Sequence, residues 1–227
     1  LTNTSFVAYP NGGLMIAFDT QRHLAFGVNQ GDNFVYVFNV ETMSLISTFD
    51  YALGGPWPSW SSETPGGGAI AADASRALLY IGVNCDSPTP ANIWQFDYSN
   101  LNTPRLTNWV TFGADQCFEE GFVNPTDGRA WFYEDDAGWA GGFGVQDLNF
   151  GRDWTVPTGL YVESLEFDAA TNTGFFITNG NGDYNTPGQV FRTCLLETGI
   201  SATHEWINWS TISDSIGGSH WDAANHT

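Results

Sequence analysis

The chain predicts an all-β fold, a β-propeller of four-stranded antiparallel blades, and three observations carry that reading. A cadence of small residues, an apolar stretch ending in Asp or Asn, a tight turn and a second apolar stretch returns four times and begins a fifth; its turns are anchored at Asp19, Asp73, Asn124, Asp168 and Asp222. The anchors recur every 44 to 54 residues, the spacing of a repeat architecture. An aromatic content of 15% with 26 glycines suits short strands joined by tight turns, and no helical period runs far enough to compete.

The elements follow in order. A lone strand is expected over 4–10. The first repeat alternates apolar and polar residues through 14–19, 23–29, 34–40 and 44–51, which reads as a four-stranded meander. The second supplies strands at 68–73, 77–84, 92–99 and 105–113, and the third at 117–124, 129–135, 142–149 and 152–157. The fourth supplies 161–168, 174–180, 189–196 and 200–208. Four-stranded units repeated radially are propeller blades. The blades fall at about 12–51, 66–113, 117–157 and 161–208, with the first strand of a further blade in 217–227, all within a single domain, 1–227. Four complete blades plus one strand at each end do not close a six- or seven-bladed ring, so the chain is expected to be a fragment of such a propeller.

The stretch HLAFGVNQGDNFVYVFNVETMSLISTF at 23–49 resembles the YVTN-type blade of the lactonase-like and carboxymuconate-cyclase-like propellers. A shorter stretch, 120–132, is similar to the Glu-Gly-Pro-x-Trp segment of the SMP-30/gluconolactonase propellers, with Phe122 for the Pro and Asn124 for the Trp. In that family the Glu binds a divalent metal at the channel mouth, so the resemblance implies a metal role for Glu120.

Charge excludes several partner classes. A net charge of −19, with six arginines and no lysine, offers a phosphate backbone nothing to hold, so no nucleic acid is expected as a partner. Lysine chemistry is excluded too. No apolar run reaches spanning length and no signal peptide is evident, so no membrane insertion is expected and the chain reads as a mature secreted, extracellular product. Sequons at Asn3, Asn208 and Asn225 give the glycosylation candidates. Three cysteines lack metal-binding spacing; Cys85 and Cys117, in adjacent repeats, are the first choice for a disulfide, with three buried thiols the alternative.

In a propeller the first strand of each blade lines the channel, and the loops entering it share a face with the loops between second and third strands. Those loops, at 29–33, 84–90, 134–139 and 179–185, are acidic or amide-rich, and the entry loop 54–63 adds Trp57 and Trp60 as ligand-stacking candidates. Glu119, Glu120, Glu163 and His220 enter the channel mouth. Crowded carboxylates there either raise a pKa into the range useful for acid–base work or recruit a cation. Glu120, Glu163 and His220 are therefore the catalytic candidates and Glu119 a ligand-binding one. Glu120, Glu163 and Asp183 are the metal candidates, with Ca²⁺ the cation considered. The competing role for each is structural: acids that hold channel water, an Asn- and Asp-rich loop that simply turns, tryptophans that fill gaps between blades. Of the remaining tryptophans, Trp94, Trp109, Trp131 and Trp154 fall within strands and read as packing residues, and Asp32 and Asn33 read as a hairpin turn.

No nucleophile elbow, Cys-His pairing, phosphate loop or zinc spacing occurs. Three functions remain. The first is a secreted propeller that binds a small molecule, saccharide or protein through an acidic, Trp-bearing face. The second is a lactonase-like hydrolase or cyclase with a carboxylate-lined channel. The third is a structural repeat protein that assembles through open blade edges.

Overall fold

The computed structural model describes residues 15–28, 32–51, 67–83, 92–111, 118–125, 127–134, 139–143, 150–155, 161–168, 170–171, 173–179, 189–194 and 205–208. Among the described residues, sixteen strands form four antiparallel sheets, each a meander in chain order. The first sheet holds β1 (Met15–Asp19), β2 (Leu24–Val28), β3 (Phe34–Asn39) and β4 (Ser44–Asp50). The second holds β5 (Gly67–Asp73), β6 (Leu78–Val83), β7 (Asn92–Asp97) and β8 (Arg105–Thr111). In the third are β9 (Phe118–Val123), β10 (Ala130–Glu134), β11 (Trp139–Phe143) and β12 (Phe150–Thr155); in the fourth, β13 (Tyr161–Asp168), β14 (Thr173–Asn179), β15 (Gln189–Cys194) and β16 (Glu205–Asn208). The chain divides into two compact units, Leu1–Ala114 and Asp115–Thr227.

The anchors of the cadence make the turn between the first two strands of each sheet. Asp19, Asp73, Asn124 and Asp168 are all buried, so their polar groups need internal partners. They find them locally. Gln21 and Arg22 donate backbone N–H bonds of 2.9 Å each to Asp19 Oδ1, and Ser75 and Arg76 do the same to Asp73 Oδ1 at 3.0 and 3.2 Å. Ala170 donates to Asp168 Oδ1 at 2.9 Å, while the Asn124 carbonyl accepts the Gly128 N–H at 2.8 Å. A short acid or amide satisfies donors that a bare turn would leave open. Four residues past the anchor the backbone turns left-handed, at His23 (φ 55°), Ala77 (φ 55°) and Gly128 (φ 72°). The β3–β4 turn repeats the device with Asn39 as anchor and Met43 at φ 51°.

In the first unit β5 packs beside β1 and β2, and the core lies between the two sheets. Phe26, Val28, Val35 and Val37 from the first sheet meet Leu79, Ile81, Trp94 and Phe96 from the second, all essentially buried. Tyr51 lies edge-on to Trp94 at 5.7 Å between ring centroids, and Phe49 tilts against Phe96 at 5.6 Å. In the second unit β13 packs beside β9 and β10, and Phe118 stands edge-on to Phe132 at 6.1 Å.

Two strands of the second unit start earlier than expected. The third strand of the third sheet begins at Trp139, not 142, and the next begins at Phe150, not 152, while 144–149 lie outside the described residues. Register explains the shift: Phe132 pairs with Gly121 on one side and Gly141 on the other, and Trp131 pairs with Gly142, so the large rings of β10 lie opposite glycine backbone. Trp139 consequently opens a strand instead of closing a loop. Of the expected last strand 200–208, the described part, Glu205–Asn208, is strand. Its four residues all pair with Gln189–Arg192, and 200–204 lie outside the described residues.

Candidate functional site

The first strands of the second, third and fourth sheets share a feature that alternation conceals. Each carries one residue more than its partner strand near its start. In β5 the pairing jumps from Gly67↔Val83 to Ala69↔Gly82, leaving Gly68 as the extra residue. In β9 it passes from Glu120↔Tyr133 to Phe118↔Glu134, leaving Glu119; in β13 from Val162↔Thr178 to Ser164↔Ile177, leaving Glu163. Gly68, Glu119 and Glu163 each precede their anchor, Asp73, Asn124 or Asp168, by five residues. Such β-bulges re-aim the chain and are over-represented beside functional sites.

This register reassigns the glutamates. Glu119, not Glu120, is the positional counterpart of Glu163. Glu120 sits one step on, within the ladder opposite Tyr133, half-buried, and its counterpart in β13 is Ser164. Because β9 and β13 pack beside each other, the second unit brings two bulges, each bearing a carboxylate residue, to the starts of neighbouring first strands. Glutamate is a residue type whose oxygens accept bonds from a ligand's hydroxyl or amine groups or hold a hard cation. The offset of five from the anchor was the signal available in the sequence.

Of the other candidates, Asn208 is the last residue of β16, opposite Gln189. Trp57, Trp60, Cys85, Cys117, Asp183, His220, Asn3 and Asn225 lie outside the described residues. Among the described residues no three His, Cys, Asp or Glu side chains gather into a metal-holding group, and no helix is long and apolar enough to cross a membrane.

Asp32 has a structural task. Its carboxylate accepts the Phe34 N–H at 3.0 Å and the Tyr36 hydroxyl at 2.8 Å, and its carbonyl accepts the Tyr51 hydroxyl at 3.1 Å. Asn33 ties the same end of the sheet by donating its side-chain amide to Asp50 and accepting the Tyr51 N–H. Trp94 and Trp131 are buried packing residues, as expected. Trp109 is not: it is 47% exposed on the outer strand β8, which has only one strand neighbour in its sheet.

No family model matches the sequence, and no curated protein sequence matches it. Solved structures do. The fold is similar to that of hydrazine synthase from Kuenenia stuttgartiensis, with a TM-score of 0.64 and 13% identity over 92% of this chain and 53% of that one. It is similar also to the β-propeller domain of Cps50 (Swd1) from Myceliophteria thermophila, with a TM-score of 0.63 and 9% identity over 99% of this chain and 62% of that one. The chain therefore spans between half and two thirds of each of these chains. At such identities the likeness is one of fold, without reference to the lactonase-like family. Four antiparallel four-stranded sheets in meander order, with these neighbours, identify the fold of the chain as a β-propeller.

Proposed function

We propose that this is a secreted, glycosylated propeller that binds a neutral or cationic ligand, a saccharide or small molecule first among them, through the carboxylates at the starts of β9 and β13. The observation that carries the reading is the equivalence of Glu119 and Glu163: neighbouring first strands each set a glutamate at a bulge five residues ahead of the turn anchor. A residue outside the ladder is free of the pairing that constrains its neighbours, which suits ligand contact better than structural support. The net charge of −19 supports the choice of ligand, since the protein's field disfavours polyanions and draws in cations and neutral polyols with donor groups.

A glycan and small-molecule array probed with the wild type, Glu119→Gln and Glu163→Gln tests this directly. Retained folding with loss of signal in both variants is the expected result, and an unchanged signal in both would sink the proposal. Lactone turnover measured with and without EDTA on the same samples reads the enzymatic alternative, in which Glu120→Gln abolishes activity. Mass before and after glycosidase treatment reads the sequons at Asn3, Asn208 and Asn225.

A further inference from the structure

Among the described residues, the first sheet buries one of its faces and leaves large apolar side chains exposed on the other. Cross-strand partners share a face, so the pairs Ile16↔Gly27, Phe18↔Ala25, Ala25↔Phe38, Gly27↔Tyr36 and Phe38↔Leu45 define the other. This second face is apolar and its outer part is exposed: Ile16 is 52%, Phe18 60% and Leu45 46% exposed, Tyr36 and Phe38 are half-buried, and the small Ala25 and Gly27 between them are buried. Contiguous exposed apolar side chains of this kind mark an interaction site.

The repeat says what kind. Superposing the anchors Asp19 and Asp73 and following the registers makes Ile16 the counterpart of Ile70, Phe18 of Ala72, Tyr36 of Trp94, Phe38 of Phe96 and Leu45 of Leu106. Those counterparts in the second sheet form the face that packs on the first: Ile70, Trp94 and Phe96 belong to the shared core, with Ala72 and Leu106 packed against it. The open face of the first sheet thus has the same positions, and the same apolar character, as a face the fold already uses to seat one sheet on another. Tyr36 and Phe38 stand where Trp94 and Phe96 are fully covered.

We propose that the Ile16–Phe18–Leu45 face seats a further four-stranded blade of the same propeller, supplied by the polypeptide that carries this sequence, in an interface that repeats the one between the first and second sheets. This chain spans 53% and 62% of the two chains it resembles in fold. The occupant's contact face should carry β-branched and aromatic residues at the positions of Phe26, Val35 and Val37, which meet the second sheet here.

The test is thermal unfolding and sedimentation of the natural polypeptide bearing Phe18→Asp, with Met43→Asp, on an exposed turn, as control. A charge forced beneath a packed blade should lower Tm by about 5 °C or more, while the control stays near wild type and the protein sediments as a monomer throughout. An unchanged Tm in Phe18→Asp overturns the proposal, since the face is then open in the native protein. A fall in Tm that accompanies dissociation of a dimer overturns it as well, because the occupant is then a second copy. Should Phe18→Asp fail to accumulate, Phe18→Ala and Leu45→Ala carry the same reading through a smaller drop, and no drop in either counts against the blade.

Discussion

The Tyr98 hydroxyl donates a 2.8 Å hydrogen bond to Asp19 Oδ2, joining a residue just past β7 in the second sheet to the turn anchor of the first. Arg22 completes the junction: its guanidinium pairs with the same Oδ2 at 2.9 Å, lies over the Tyr98 ring at 5.8 Å from its centroid, and donates to the Ala74 carbonyl in the second sheet's own anchor turn. One buried carboxylate therefore closes a tight turn with Oδ1 and locks two sheets together with Oδ2.

Removing that bond should cost stability in a pH-dependent way. Burial alone would raise the Asp19 pKa, but the bonds from Tyr98 and Arg22 outweigh it and hold the carboxyl below its ordinary value. A depressed folded-state pKa contributes stability that is fully present above the unfolded value of about 3.9 and is lost as pH falls through the folded one. Tyr98→Phe should destabilise by about 1.5–3 kcal/mol at neutral pH, the worth of a hydrogen bond to a charged group. Urea unfolding at pH 7 and near pH 3 should show the difference between variant and wild type shrinking in acid.

Gly121→Ala should be harmful although the strand exposes no obvious obstacle. A Cβ there would lie 2.5 and 2.6 Å from two ring carbons of the buried Phe132. Overpacking of this kind costs about 1–3 kcal/mol. Pairing it with Phe132→Leu should give a loss smaller than the sum of the two single losses, because the ring and the methyl compete for one space.

The left-handed turn position gives opposite signs at equivalent sites. His23, with its side chain largely exposed, takes φ 55°, where an L side chain is strained, so His23→Gly should raise stability by up to about 1 kcal/mol. Gly128→Ala, at φ 72°, should lower it by about 1 kcal/mol. Chemical denaturation of the two variants, run side by side, checks both.

Two tryptophans that face each other across β7 and β8 should behave very differently. Trp94 is fully buried and Trp109 is 47% exposed. Trp94→Ala should cost about 3–5 kcal/mol, as large core truncations do, whereas Trp109→Ala should cost well under half of that. Comparable losses in the two variants would show that β8 is covered in solution.

The repeat was legible because its signals are local. Asp19, Asp73 and Asp168 announce their turns through bonds made within three residues of the anchor, and the strands on either side alternate. The third sheet resisted because glycine in WAGGF carries no alternation; what places β11 is the bulk of Phe132 and Trp131 on its neighbour, which is tertiary information. The offset of five from the anchor pairs Glu119 with Glu163, but the bulge itself was hidden for a related reason. A bulge shows only when two strands are paired, so the sequence showed a carboxylate pair but not which member left the ladder.

That extra residue has a consequence for how the protein can vary. A ladder position answers to its neighbours on both sides, and changing it risks the register of a whole sheet. Gly68, Glu119 and Glu163 answer to no partner in the pairing, and across three successive repeats the same backbone carries a hydrogen atom, then a carboxylate, then a carboxylate again. The backbone thus offers three equivalent positions at which a side chain can change while the pairing of the sheet stays as it is.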